Sequence, residues 1–231
     1  MTSRVVRAAL LAVPVTFLAV FFVWPLLTIL SRGLSAGAMV DVLTDPGLRS
    51  VAWFTLWQAA LSTVVTLAVG VPMAYVVGRF RFPGRRVVLA FTTAAFVLPT
   101  VVVGAAFLAL VPDEWHGTVA AIVIAHVFFN YAVVVRTVSG MWAHLDPRLE
   151  DAARVLGASR WRVLWEVTLP LLRPALVAAA SIVFLFTFTS FGVVLLLGGP
   201  SHPTLEVEIY RLTTQLLDLC LLYTSDAADE L

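Results

Sequence analysis

The sequence contains no lysine and one cysteine, and only 13% of its 231 residues are charged. The lone Cys220 excludes an internal disulfide and any cysteine-rich metal site. No GxxxxGK[ST] loop is present to cradle nucleotide phosphates, and neither HExxH nor G-x-S-x-G occurs. No pair of carboxylates falls inside an apolar run. These absences argue against a chain that hydrolyses ATP itself and against a membrane enzyme, and the scattered histidines His116, His144 and His202 make no metal-ligating set.

What is abundant is apolar. Hydrophobic residues make up 61% of the chain, against ~45–50% in a soluble domain. Mean hydropathy is +0.97. The sequence is that of an integral membrane protein. Five apolar runs, residues 8–30, 51–77, 87–111, 118–138 and 175–197, each reach the ~20 residues that a helix needs to cross the hydrocarbon core. The first follows Arg4 and Arg7 and exceeds the ~7–15 apolar residues of a signal-peptide core, so it reads as an uncleaved span, with Pro14 and Pro25 as sites of kinking.

All fifteen basic residues are arginine, and their positions set the orientation. With the N-terminus in the cytoplasm, only Arg32, Arg49 and Arg211 fall on the outer side, and the other twelve fall inside. The basic loop RFRFPGRR, residues 79–86, joins two spans through a Pro83-Gly84 turn and reads as a topology anchor, not as a nucleic-acid surface.

Residues 146–174, DPRLEDAARVLGASRWRVLWEVTLPLLRP, form the only long segment that is charged, amphipathic and punctuated. Asp146 caps a helix with Pro147 at its first position, and Glu150 and Asp151 sit near the positive end of its dipole. Leu149, Ala152, Ala153 and Leu156 share one face. Gly157 ends the helix in a left-handed turn, and Ser159 caps a second short helix. Pro170 and Pro174 are expected to separate that helix from the last span.

This segment resembles the cytoplasmic EAA loop of ABC-importer permeases. Asp151, Ala152 and Ala153 take the EAA places, with Asp for Glu at 151 and Glu150 beside it, Gly157 takes the glycine place, and Leu169 and Pro170 form the end. The resemblance implies a joint that couples to the ATP-hydrolysing subunit, with Glu150, Asp151 and Arg154 making polar contacts and the two alanines allowing close approach. Further stretches, LWQAALST at 56–63, RFPGRR at 81–86, AHVFFN at 125–130 and TSFGVVLLLGGPSHPTLEVEIYR at 189–211, resemble the first half of the fused permeases for thiamine and for ferric iron.

From this resemblance follow an all-α integral membrane bundle of the type I importer (MetI-like) permease fold and a multi-pass location in the cytoplasmic membrane. It further implies a transport subunit that is not an enzyme, and thiamine as the favoured cargo with ferric iron as the alternative. The partners implied are two ATPase copies that carry ATP and magnesium, an extracytoplasmic solute-binding protein and a second permease half in the same full-length chain. No cofactor is expected on this chain. A secondary transporter working without an ATPase is the more distant reading, and the lack of charged groups in the spans argues against it.

Gln58, His126, Asn130 and Ser190 are the polar residues within the spans with two readings open: a translocation path, or hydrogen bonds between helices. The organisation expected is a first helix and outer loop over residues 1–50 and a permease core over 51–219 that contains the cytoplasmic coupling loop 146–174, with five complete spans and a truncated sixth in the chain as a whole. Residues 220–231, CLLYTSDAADEL, are expected to be a non-native tail.

Overall fold

The computed structural model describes residues 4–33 and 44–214, all in helices and their connections, with no strand among them. The tail expected at residues 220–231 and the end of a sixth span lie outside the described residues. The chain divides into two units, residues 1–50 and 51–231.

In the first unit, α1 (Arg4–Leu18) passes through a π turn (Ala19–Val23) into α2 (Trp24–Gly33). Between Leu11 and Thr28 the helix is long and apolar enough to cross a membrane, and none of that stretch is buried. Pro14 sits within α1 without ending it. The π turn closes on the residue before Pro25: the Trp24 N–H bonds the Ala19 carbonyl five residues back. An extra residue in the turn eases the clash between a proline ring and the carbonyl four residues earlier.

The second unit is built on α3 (Pro46–Arg79), which begins in the first, and α6 (Val119–His144). Between them lie α4 (Arg85–Val97) and α5 (Thr100–Leu110). Residues 87–111, an apolar run long enough for one span, form this bent pair, turned by 103°. Leu98 precedes Pro99 and adopts an extended conformation, φ −65° and ψ 140°, because the proline ring excludes the α region from the residue before it.

After α6 come α7 (Pro147–Val155), α8 (Arg160–Val163), a second π turn (Leu164–Thr168), α9 (Leu169–Phe188), α10 (Gly192–Leu197) and a helix over residues 205–214. Pro170 and Pro174 do not separate α8 from the last span. From Arg160 to Phe188 the helix is continuous, and the Leu169 N–H bonds the Leu164 carbonyl through the π turn just before Pro170. The device at Pro25 is repeated here.

Residues 175–197 are likewise not one helix. α9 ends at Thr189, whose hydroxyl bonds the Leu185 carbonyl, and the chain turns before α10. Gly192 opens α10 because a Cβ there would lie 2.7 Å from Thr100 Oγ1 and 2.9 Å from the Val101 backbone nitrogen. Four helices among the described residues are long and apolar enough to span, and the bent pair makes a fifth if it crosses as one.

Packing centres on α6, whose Val134, Val138 and Trp142 meet Ala74 of α3 and Leu172, Ala179 and Val183 of α9. Lipid tails are as apolar as these side chains, so close van der Waals contact, not water exclusion, joins the helices. Gly70 and Gly78, two turns apart on α3, provide it: a Cβ would lie 2.7 Å from Val134 Cγ1 at the first and 2.9 Å from Trp142 Cβ at the second. Gly70→Ala is expected to destabilise the bundle by ~1–3 kcal/mol, the cost of overpacking. Thermal unfolding in detergent measures this; an unchanged midpoint would show that the helices separate freely.

Candidate coupling site and buried polar layer

The block after α6 forms from its own sequence. Asp146 Oδ1 accepts the Arg148 N–H at 3.0 Å, Pro147 occupies the first turn, and Ser159 Oγ accepts the Arg162 N–H at 3.3 Å. Gly157 adopts φ +86°. Its N–H bonds the Arg154 carbonyl at 2.9 Å and the Ala158 N–H bonds the Ala153 carbonyl at 3.0 Å, the paired bonds of a Schellman ending.

Two sides of this block differ in chemistry. The inward side is held by Glu150, whose side chain is 16% exposed. Its Oε1 lies 2.5 Å from Arg79 Nη2 at the end of α3 and accepts the Thr168 hydroxyl at 2.9 Å. Arg154 Nη2 lies 3.8 Å from its other oxygen. One carboxylate therefore ties α7 to α3 and to the π turn that leads into α9.

The outward side is apolar and open. Val155 and Leu156 are 87% and 88% exposed, and Trp161 is 71% exposed. Of the face shared by Leu149, Ala152, Ala153 and Leu156, only Ala153 is partly covered; the other three are exposed. Asp151 is exposed with its carboxylate 3.4 Å from Arg154, and Arg162 and Glu166 pair at 2.9 Å on the surface. Leu169 is partly buried and Pro170 exposed.

Gln58, His126, Asn130 and Ser190 are all buried, and His126 is their centre. Ser62 Oγ lies 3.1 Å from its Nδ1 and Ser190 Oγ lies 2.9 Å from its Nε2, so one imidazole bridges α3, α6 and the turn after α9. Gln58 Nε2 donates to the carbonyls of Thr187 at 3.0 Å and Thr55 at 3.3 Å. Asn130 shares the His126 face but donates back to the His126 carbonyl at 3.0 Å. Gln58 Oε1 and Asn130 Oδ1 are buried without a hydrogen-bond partner among the described residues.

His126 and Gln58 thus bond between helices, and Asn130 bonds within α6. His126→Leu is expected to cost about 1 kcal/mol, two bonds at ~0.6 kcal/mol each. A thermal midpoint equal to that of the parent protein would mean that the imidazole carries no such bridge.

Sequence reading missed Arg79 and Thr168 as partners of Glu150. They stand 71 and 18 residues from it, beyond any local pattern, and Arg79 looked like one anchor among four in its loop. Arg136, expected at the cytoplasmic end of the fourth span, sits on α6 eight residues before His144, ~12 Å from the helix end. Its side chain is exposed, and its Nη1 donates to Thr93 Oγ1 of α4 at 2.7 Å.

Residues 70–224, which include the coupling block and His126, Asn130 and Ser190 of the polar layer, match the family described as the binding-protein-dependent transport system inner membrane component. The chain belongs to that family. Among its relatives, the sulfate transport system permease protein of Escherichia coli is 34% identical over 69% of this chain, an alignment spanning 62% of that protein. The molybdate/tungstate transport system permease protein of Thermococcus kodakarensis is 29% identical over 78% of this chain and 74% of its own length. The thiamine transport system permease protein of Escherichia coli is 30% identical over 74% of this chain but 35% of its own length.

A bacterial ABC transporter involved in alginate import has a chain with the same fold, with a TM-score of 0.72 at 17% identity over 91% of this chain and 84% of that one.

Proposed function

We propose that this chain is the permease subunit of an ABC importer, with α7 and α8 as the surface on which a separate ATPase acts. The observation that carries this reading is the two-sided block: an open apolar face of Val155, Leu156 and Trp161, backed by a carboxylate that holds α3 and the foot of α9. A partner that pushes on the open face moves two helices together. Two ATPase copies supply ATP and magnesium chemistry, an extracytoplasmic binding protein delivers the solute, and a second permease half completes the path. The arginine bias supports a cytoplasmic N-terminus, which puts the block on the side where ATP is found.

For the cargo, the charge at Arg136 favours a small oxyanion, the class handled by the sulfate and molybdate relatives, over thiamine, whose thiazolium is a cation. A guanidinium near the end of a span faces water or a polar route because lipid does not solvate it. Arg136 has no ion pair among the described residues, and its one hydrogen bond goes to a neutral hydroxyl. Thiamine stays the second reading, supported by the thiamine permease relative and by AHVFFN at 125–130.

Uptake of labelled sulfate, molybdate and thiamine by vesicles containing the full-length transporter, its ATPase and its binding protein tests both parts. ATP-dependent oxyanion uptake is expected. Thiamine uptake alone would overturn the cargo assignment, and uptake that persists without the ATPase would overturn the importer. Arg136→Gln is expected to cut oxyanion uptake roughly tenfold, the ~1.4 kcal/mol of one lost charge contact; unchanged uptake would remove Arg136 from the route.

A further inference from the structure

A cavity of about 440 Å³ opens between the α7–α8 block and the neighbouring ends of α3 and α6. That size is in the range of small-molecule sites. Its walls are apolar, with Val71, Pro72 and Leu169 among them, and Arg154 and Arg160 add two guanidinium groups.

Two groups in this lining lack partners. Trp142 is 3% exposed, and its indole N–H is buried with no hydrogen-bond acceptor among the described residues. A buried indole N–H normally finds one. Arg160 is exposed and its side chain makes no ion pair or hydrogen bond among the described residues. The one acid in the lining, Glu150, is already matched by Arg79 and Arg154, so the charge left over is positive.

A free phosphate or sulfate would satisfy the cations but would leave the apolar walls empty. An ordinary apolar molecule would fill the walls and leave Arg160 and the indole unmet. Only an amphiphile with an anionic head answers both. Tyr75 and Trp142, both lining the cavity, are residues of the kind that gathers where lipid headgroups meet hydrocarbon. Basic pockets between helices at that level bind phospholipid headgroups.

We propose that an anionic phospholipid occupies this cavity. Its phosphate sits against Arg154 and Arg160 within reach of the Trp142 indole, and the start of its acyl region lies along Val71, Pro72 and Leu169. The lipid then wedges between α7 and α3 beside the Glu150–Arg79 pair, so the tie between block and bundle works fully only in a membrane that contains acidic lipid.

The test uses the assembled transporter, purified in detergent and, in parallel, placed in nanodiscs of phosphatidylglycerol or phosphatidylcholine. Phosphatidylglycerol is expected to remain bound, by mass spectrometry, after phosphatidylcholine has been washed away. Arg160→Gln is expected to lower its retention about fivefold, the ~1 kcal/mol of one arginine at an anionic surface. Trp142→Phe keeps the ring and removes only the donor, and should lower retention without changing elution of the complex.

Equal retention of the two lipids, or retention unaltered by both variants, would overturn the proposal. Release of the lipid by excess inorganic phosphate, with phosphate then protecting the complex as well as phosphatidylglycerol did, would assign the cavity to a free anion and overturn it too. Retention is read on particles that expose both leaflets, without any solute, so it stands or falls separately from the importer reading and from the orientation of the chain.

Discussion

Replacing Glu150 by alanine is expected to lower solute uptake roughly 30-fold while the complex still assembles and hydrolyses ATP. The carboxylate holds Arg79 at 2.5 Å and accepts the Thr168 hydroxyl at 2.9 Å, and both ion-pair partners are under one-fifth exposed. Leaving one charge of such a pair unmatched costs about 2 kcal/mol, the factor of 30 quoted. Lost stability alone would reduce the amount of transporter, so the informative quantity is solute moved per ATP hydrolysed. That ratio should fall in Glu150→Ala and recover in the double variant Arg79→Glu, Glu150→Arg, where the pair is reversed. A ratio equal to the parent's, or a double variant worse than either single one, would mean that Glu150 does not transmit the movement.

The second large effect is expected at Gly157. At φ +86° a residue with a Cβ pays ~1–2 kcal/mol, and a β-branched one more. A Cβ there would meet no atom within 4 Å, so the cost is in the backbone alone and not in packing. Gly157→Val should therefore break the Schellman ending and misdirect α8, abolishing uptake while the protein stays in the membrane. Gly157→Asn, which tolerates the left-handed region, should keep most of it. Wild-type uptake in the valine variant, or equal loss in both, would show that the turn is not what matters.

These two positions differ in how they could be found. Gly157 was legible because a helix ending is a local event: an amphipathic stretch, then glycine, then a capping serine. Glu150 was visible as an acid in the first turn of α7, but its partners were not. Its expected role is a contact to the ATPase, and the fold adds an inward one that ties α7 to α3 and to the π turn before α9, because Arg79 arrives from 71 residues away. Arg79 and Arg81 are indistinguishable in the string RFRFPGRR, and only the packing of α3 selects one of them.

The same division explains the spans. Hydropathy counts residues, and residues 87–111 and 175–197 have enough of them. The turns at Leu98–Pro99 and at Thr189 depend on what the backbone meets next. Pro99 was a readable warning, since the residue before a proline leaves the α region. Gly192 was not, since its need to lie against Thr100 and Val101 exists only once α5 and α10 are side by side. Conversely, Pro170 looked like a break and is none, because the π turn ahead of it absorbs the missing N–H.

What the sequence by itself determined is the medium and the local stops: an apolar, lysine-free chain for a bilayer, spans of sufficient length, and the capped, glycine-ended block after the fourth run. Those properties rest on composition and on contacts within a few residues. Tertiary structure alone decided that Glu150 faces inward, that His126 bridges two serines, that Arg136 bonds Thr93 across two helices and that two apolar runs bend. Each depends on groups far apart in the chain, which a pattern of neighbours does not encode.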